Sequence, residues 1–117
     1  MAITVLIVDD HPSFRSSARM LLESEGFEVV GEAEDGGSGL AQAAALGPDL
    51  ILLDVQLPDL DGFEVATQVT GAPHAPDVIL TSSREQTDFG RLIEGCGARG
   101  FVAKADLSGP ALRALLR

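Results

Sequence analysis

Short apolar runs recur along the chain at regular spacing, and each is followed by a segment with helical character. The runs are near-continuous rather than alternating, which is typical of strands covered on both faces of a parallel sheet. We therefore predict five β-strands, at residues 3–8, 27–30, 50–53, 78–80 and 100–102.

Five amphipathic segments predict five helices between and after these strands. Pro12 suits the first turn of the first helix, Gly26 suits its end, and Gly47-Pro48 ends the second helix. We place Met20 in the core and treat Cys96 as a small, partly buried apolar residue. The last helix runs to Arg117. The apolar residues that indicate the five helices are, helix by helix in chain order, Phe14, Ala18, Leu21 and Leu22; Leu40, Ala43, Ala44 and Leu46; Phe63, Ala66 and Val69; Phe89, Leu92 and Ile93; and Leu112, Leu115 and Leu116.

Strands that alternate with helices of this length pair in parallel through right-handed crossovers. The pattern predicts an α/β fold, a doubly wound, flavodoxin-like (βα)5 arrangement with a five-stranded parallel sheet in the order 2-1-3-4-5. The length suits one domain spanning residues 1–117.

Composition narrows the classes of function. With 18 acidic and 8 basic residues, the net charge of −10 argues against nucleic-acid binding by this chain itself. No apolar run approaches the roughly 20 residues that span a membrane. A single cysteine, Cys96, cannot form an internal disulfide, which favours a reducing cytoplasm.

The ends of the predicted strands carry most of the candidate chemistry. Singly, an aspartate or serine there is typical of a turn or cap, and a lone lysine of a solvated surface. Jointly, they converge at the edge of an open parallel sheet where ligands bind. The set is Asp9 and Asp10 after the first strand, Asp54 after the third, Thr81, Ser82 and Ser83 after the fourth, and Lys104 after the fifth.

Three close carboxylates repel one another, and a divalent cation between them relieves the repulsion. Mg²⁺ fits best because every ligand would be a hard oxygen. His11 and His74 are not spaced as a ligand pair, so the sequence does not favour zinc.

Four motifs, at residues 8–12, 53–64, 80–83 and 97–104, together resemble the receiver domain of two-component response regulators. The resemblance covers essentially the whole chain. The Asp-Asp-His-Pro opening and the ending at residues 104–109 are most similar to receivers that precede a LuxR/NarL-type helix-turn-helix domain. The resemblance thus implies a longer chain, in which a C-terminal output domain outside this sequence binds DNA.

The resemblance also implies a role for each acid. Asp54 would be the nucleophile that accepts a phosphoryl group. Asp10 and Asp54 would ligate Mg²⁺ directly, together with the main-chain carbonyl of Gln56, and Asp9 would act through a metal-bound water. Mn²⁺ could substitute for Mg²⁺.

Three further roles follow from the resemblance. Lys104 would pair with a phosphoryl oxygen, and the Ser82 hydroxyl would bond another. Thr81 is chemically equivalent to Ser82, but only one of the two can serve because neighbouring side chains on a strand face opposite ways. Phe101 stands where the family has its switch aromatic; the alternative is a simple core side chain.

The chain departs from the family at one clear position. Ala105 follows Lys104, where a proline, often joined by a cis bond, is common. A cis bond before alanine would cost about 2.5–4 kcal/mol, so either the strand supplies that strain or the bond is trans. Gln56 and Arg84 stand where the family tunes the lifetime of the phosphate.

We therefore expect a phosphorylation-dependent switch, driven by a sensor histidine kinase, that changes the face formed by the fourth helix, fifth strand and fifth helix. Such a protein is not a conventional enzyme, although it catalyses its own phosphorylation and dephosphorylation at Asp54. Homodimers could form through the first and fifth helices or through the switch face, and exposed parts of Leu112, Leu115 and Leu116 hint at such contact.

Two other classes of function are alternatives. A receiver fold regulated without phosphate is disfavoured because such modules usually lose one of the acids or the lysine. A flavodoxin-like electron carrier is disfavoured because the chain has no Trp or Tyr to stack on a flavin.

Overall fold

The computed structural model describes residues 2–84 and 89–116, which form a parallel sheet flanked by helices. Its strand order is β2-β1-β3-β4-β5, so the predicted topology is confirmed. The strands are β1 (Thr4–Val8), β2 (Glu28–Ala33), β3 (Leu50–Asp54), β4 (Asp77–Ser82) and β5 (Gly100–Ala103). The helices are α1 (Pro12–Ser24), α2 (Gly36–Leu46), α3 (Gly62–Thr70), α4 (Arg91–Gly95) and α5 (Gly109–Leu116).

The core consists of two layers, one on each face of the sheet. Successive strand residues face opposite ways, so Leu6 and Val8 contribute to one layer while Val5 and Ile7 contribute to the other. Helices α2, α3 and α4 cover the first layer, and α1 and α5 cover the second. Because both faces are covered, the middle residues of β1, β3 and β4 are apolar and buried, as the sequence pattern indicated, whereas the edge strand β2 carries Glu28 and Glu32.

Local signals set the helix boundaries. Pro12 occupies the first turn of α1, Asp35 caps α2 by accepting a hydrogen bond from the Ser38 amide, and Asp61 caps α3 in the same way. Gly47 ends α2 in the left-handed conformation, with φ 54°. The predicted helix ends at Pro12 and Gly47 are confirmed.

Three side-chain predictions have different outcomes. Cys96 packs as a small apolar residue, as predicted, but it is fully rather than partly buried. The core placement of Met20 is wrong, since its side chain is 73% exposed. Leu112 is fully buried, so it offers no surface for dimer contact, whereas Leu115 and Leu116 are only half-buried. Arg117, the predicted end of the last helix, lies outside the described residues.

The sheet aligns the strand ends that carry polar residues. In the β3–β4 ladder Asp54 lies opposite Thr81, and in the β4–β5 ladder Ser82 lies opposite Ala103. The chain then makes one 3-10 turn at Lys104–Asp106, and the bond between Lys104 and Ala105 is trans. Within the described residues, no helix has the length and hydropathy needed to cross a membrane.

Candidate functional site

An acidic pocket lies at the carboxyl ends of β1 and β3. Asp9, Asp10, His11 and Asp54 each offer one ligand atom there, and these atoms all lie within 4.8 Å of one another. Asp9 and Asp54 are buried, whereas 34% of the Asp10 side chain is exposed. The predicted convergence of the three aspartates is therefore confirmed, and Asp10 faces the solvent side of the pocket.

Backbone and side-chain hydrogen bonds hold Asp9 in place. Its amide donates to the carbonyl of Ala33 on β2 (3.0 Å), which extends the sheet pairing by one residue. Arg15, one turn into α1, donates from Nη1 to the Asp9 carbonyl (2.6 Å). The His11 amide donates to Asp9 Oδ1 (2.8 Å). The first acid is thus held from the sheet, from α1 and from the loop between them.

Lys104 is the single lysine of the sequence, and its ammonium group lies in the acidic pocket. Its Nζ lies 2.7 Å from Asp9 Oδ2 and 3.6 Å from Asp54 Oδ2. The ammonium also lies 4.4 Å from the centroid of the Phe14 ring, a cation–π contact with α1. The lysine at the end of β5 therefore joins the acids, as the sequence predicted.

Asp54 ends β3 at the start of a tightly folded loop, residues 55–61. The Gln56 amide donates to Asp54 Oδ1 (3.1 Å), and the Gly62 amide donates to the Val55 carbonyl (2.7 Å). Gly62 packs so closely against the Asp54 carbonyl that a Cβ at this position would overlap it. Glycine is therefore required where the loop turns into α3.

Burial raises the pKa of the Asp54 carboxyl to about 6 from its ordinary 3.8. The negative charges of Asp9 and Asp10 raise the pKa further, while the Gln56 amide and the Lys104 ammonium lower it. The rise shows that the ionised form is disfavoured when no cation is bound. Asp54 thus lies in a pocket that has more negative charge than the Lys104 ammonium neutralises.

The two candidate hydroxyls at the end of β4 differ in their surroundings. Both residues are buried. Ser82 Oγ accepts a hydrogen bond from the Arg84 amide (3.1 Å). Thr81 Oγ1 has no hydrogen-bond partner among the described residues. Because side chains alternate along a strand, Ser82 shares the face of Leu80, and Thr81 shares that of Ile79.

Phe101 lies on the same face of the sheet as Ser82, one strand away. Its side chain is 8% exposed and belongs to the core layer under α3 and α4. The Phe101 ring packs against Phe89 with centroids 5.6 Å apart, and Phe89 packs against Phe63 at 5.7 Å. Phe101 is therefore turned inward in this structure and joins an aromatic row that reaches α3.

Sequence reasoning missed the position of His11. Its Nδ1 lies 3.1 Å from Asp9 Oδ1 and 3.0 Å from Asp10 Oδ1. Adjacency to the two acids was the available signal, but it does not fix the direction of the ring. For the hydrogen bond from Arg15 to the Asp9 carbonyl, the sequence offered no signal beyond helical spacing.

The donor set suits a small, hard cation. Three carboxylates meet one ammonium, and Asp9 and Asp54 are buried. Carboxylate oxygens of this kind are the protein ligands that Mg²⁺ takes most often. The cluster could hold a metal ion next to Asp54.

Comparison with known sequences gives a consistent family. The family described as the response regulator receiver domain matches residues 5–116. BvgA of Bordetella pertussis, a transcription regulator by name, is 41% identical over 86% of this chain and 48% of its own length. The DNA-binding transcriptional activator EvgA of Escherichia coli K12 is 29% identical over 89% of this chain and 51% of its own. The chain spans about half the length of these curated relatives.

Solved structures agree with this fold. The signal receiver domain of NarL from Mycobacterium tuberculosis superposes with a TM-score of 0.84 at 33% identity, covering 98% of this chain and 97% of that one. A LuxR-family two-component response regulator from Aurantimonas superposes with a TM-score of 0.89 at 28% identity, covering 99% and 86%. Both neighbours share the fold over nearly the whole chain.

Proposed function

Because this chain belongs to the response regulator receiver domain family, we propose that it is the phosphorylation-dependent switch of a two-component system. Asp54 accepts a phosphoryl group from a sensor histidine kinase. The observation that carries the proposal is the buried Asp54 carboxylate, placed beside Asp9 and Asp10 and within 3.6 Å of the Lys104 ammonium. The relatives named as transcription regulators support it.

In the proposed transfer, a carboxylate oxygen of Asp54 forms a bond to phosphorus while the bond from phosphorus to the kinase histidine breaks. The histidine nitrogen keeps the electron pair of that bond. The product is an aspartyl phosphate. Catalysis of phosphoryl transfer consists mainly of positioning and charge stabilisation, so the pocket needs no further nucleophile or base.

We propose that Asp10, Asp54 and the main-chain carbonyl of Gln56 hold Mg²⁺, with Asp9 contributing through a water. Mn²⁺ would substitute. The cation supplies positive charge to the phosphoryl oxygens. The raised pKa of Asp54 supports the assignment, because it indicates that the ionised carboxylate lacks enough positive charge nearby, which a bound cation would supply.

Lys104 Nζ is proposed to contact a phosphoryl oxygen, since a compact ammonium on a flexible stem can leave Asp9 for a stronger anion. Ser82 is proposed to bond another phosphoryl oxygen, and Thr81 is the less favoured candidate. Ser82 shares its sheet face with Phe101, which supports a coupled movement of these two residues and of the surface formed by α4, β5 and α5.

For the whole protein we propose a transcriptional output. The curated relatives are about twice as long as this chain, which supports a DNA-binding domain elsewhere in the protein. Homodimerisation through α1 and α5, or through the α4-β5-α5 surface, would transmit the switch. The proposed setting is the cytoplasm, which the lone cysteine Cys96 also favours. The chain acts as a switch that catalyses only its own phosphorylation and dephosphorylation.

The test is labelling with a small phosphodonor. We expect one phosphoryl group per chain, dependent on Mg²⁺, stable in acid and released by hydroxylamine. Asp54→Asn should abolish the label. Asp77→Asn is the matched control. Asp77 is the first residue of β4 and so lies at the amino ends of the strands, away from the pocket at their carboxyl ends. This variant should leave labelling unchanged. Equal labelling of Asp54→Asn and the wild type would refute the assignment.

A second experiment separates this proposal from a receiver fold that works without phosphate. Beryllofluoride with Mg²⁺ mimics an aspartyl phosphate and should shift the amide resonances of Gln56, Ser82 and Phe101. Unchanged spectra would favour the phosphate-independent interaction module.

A further inference from the structure

We propose that Asp59 is a positioning residue that fixes the phosphoacceptor loop, residues 55–61, by binding the first turn of α2. The loop connects β3 to α3 and carries Gln56. Asp59 stands at its tip, and its side chain reaches across to another element of the fold. The metal-binding part of this inference rests on the proposed function, whereas the loop-positioning part does not.

The contact itself is specific. Asp59 Oδ1 accepts a hydrogen bond from the Gly36 amide (2.7 Å), and Oδ2 accepts one from the Gly37 amide (2.9 Å). These two amides lie in the first turn of α2, where backbone donors have no partner within the helix. The amides lower the pKa of the Asp59 carboxyl below its ordinary value, as expected when they stabilise its charged form.

Close packing accompanies the hydrogen bonds. A Cβ placed on Gly36 would lie 2.9 Å from Leu60 Cβ, and one on Gly37 would lie 3.3 Å from Asp59 Oδ2. Two consecutive glycines thus allow the loop to approach the helix backbone directly. The loop tip and the start of α2 therefore form a fitted contact between segments that are 22 to 23 residues apart in sequence.

The loop transmits this anchoring to the pocket through short links. Gln56 pairs with Asp61 across the loop, and the Gly62 amide donates to the Val55 carbonyl (2.7 Å). The Gln56 amide donates to Asp54 Oδ1 (3.1 Å). Fixing the tip at Asp59 consequently restricts the Gln56 peptide, which orients the phosphoacceptor carboxylate and is proposed to offer its carbonyl to the metal.

The experiment compares Asp59→Ala with Asp35→Ala in the 117-residue chain. Asp35 is a matched control because its carboxylate also accepts two hydrogen bonds at the first turn of α2, from the Ser38 amide (2.7 Å) and hydroxyl (2.6 Å). Its capping bonds stay within the α2 end and do not reach the loop. Loss of either carboxylate removes a helix cap, so a purely structural role predicts equal effects.

The first readout is hydrogen exchange of the Gln56 and Gly62 amides in metal-free protein. Asp59→Ala should accelerate both amides at least several-fold relative to Asp35→Ala, and Asp59→Asn, which keeps the shape, should give an intermediate rate. Equal exchange in the two alanine variants, or slower exchange in Asp59→Ala, would overturn the proposal.

The second readout is the Mg²⁺ dissociation constant. Loss of a residue that orients a metal ligand typically weakens metal affinity by 10- to 100-fold, and we expect about tenfold for Asp59→Ala and less than about twofold for Asp35→Ala. Equal dissociation constants would overturn the metal-binding part of the inference. If the wild type bound no Mg²⁺ while the amides still responded to Asp59→Ala, the proposed metal site would fail and the positioning role would stand.

Discussion

Two clusters of charged side chains lie close together in this molecule, and they are balanced differently. In the first, Glu32 on β2 meets two guanidinium groups, from Arg15 at 3.1 Å and Arg19 at 2.7 Å. In the second, the acidic pocket, Asp9, Asp10 and Asp54 meet one ammonium, that of Lys104. Glu23 lies 3.7 Å from Arg19, so the first cluster pairs two carboxylates with two guanidinium groups and is balanced. The second cluster has a clear excess of negative charge.

The difference separates a cluster that joins two elements of the fold from a cluster that is proposed to bind a cation. Glu32 is neutralised by partners that the protein supplies, so its contacts join α1 to the edge strand β2. Asp54 is neutralised only in part, and the consequence is a pKa near 6. A buried group kept in an unfavourable state lowers stability and persists where function requires it. The predictions below test this contrast.

The largest expected effect is a gain in stability from Asp54→Asn in metal-free protein at neutral pH. Because the pKa of Asp54 is raised from 3.8 to about 6, the folded state binds a proton more tightly than the unfolded state. Wild-type stability should therefore fall as pH rises from about 4 to 6 and stay low above that range. At about 1.4 kcal/mol per pKa unit, the loss approaches about 3 kcal/mol.

Urea unfolding of both proteins between pH 4 and 8 measures this effect. Asn cannot ionise, so the variant should lack this part of the pH slope. It should exceed the wild type most at neutral pH, with the difference shrinking toward pH 4. Parallel pH profiles of the two proteins would contradict the unfavourable ionisation of Asp54.

The fold and the acidic pocket could be predicted from the sequence to different extents. Strand order and the meeting of Asp9, Asp54 and Lys104 were predictable because the carboxyl ends of parallel strands share one edge. The site of the Asp59 contact was not, since no local pattern links it to Gly36. The misplacement of Met20 has a simple cause: Ala18 and Leu22 face the core, and a residue two positions from each lies on the far side of a helix.

The next effect in size is stabilisation of the wild type by Mg²⁺. A ligand present at about 100 times its dissociation constant stabilises the folded state by about 2.7 kcal/mol. We expect that gain in denaturant unfolding with saturating MgCl₂, because the cation removes the repulsion in the acidic pocket. Asp10→Asn should lose most of it, since Asp10 is the proposed metal ligand whose side chain is 34% exposed. Asp77→Asn is the control and should retain it.

An intermediate effect is expected from the balanced cluster. Glu32→Gln keeps the shape of the side chain but removes its charge from two guanidinium groups. The Glu32 side chain is 28% exposed and Arg19 is 36% exposed, so solvent screening limits the loss to about 1 kcal/mol. Thermal unfolding at low and high salt checks this, and the loss should shrink with salt. A gain in stability would place Glu32 in the same class as Asp54.

The smallest change in stability is expected where the two neighbouring hydroxyls are compared. Thr81 Oγ1 is buried without a hydrogen-bond partner among the described residues, so Thr81→Val replaces an unsatisfied hydroxyl by a methyl group of similar shape. Such a replacement is expected to be close to neutral or slightly stabilising. Ser82→Ala removes the acceptor of the part-buried Arg84 amide, and because Arg84 is an exposed residue we expect water to replace that acceptor at little cost.

The two hydroxyl variants should also differ in their response to beryllofluoride, and here we expect Ser82→Ala to have the larger effect. If Ser82 is the residue that bonds the phosphoryl group, Ser82→Ala should uncouple beryllofluoride binding from the amide shift of Phe101, and Thr81→Val should leave that shift intact. A lost Phe101 response in Thr81→Val alone would transfer the role to Thr81. Because the two side chains face opposite layers of the core, each variant tests one face of the sheet, and only one of the two faces contains Phe101.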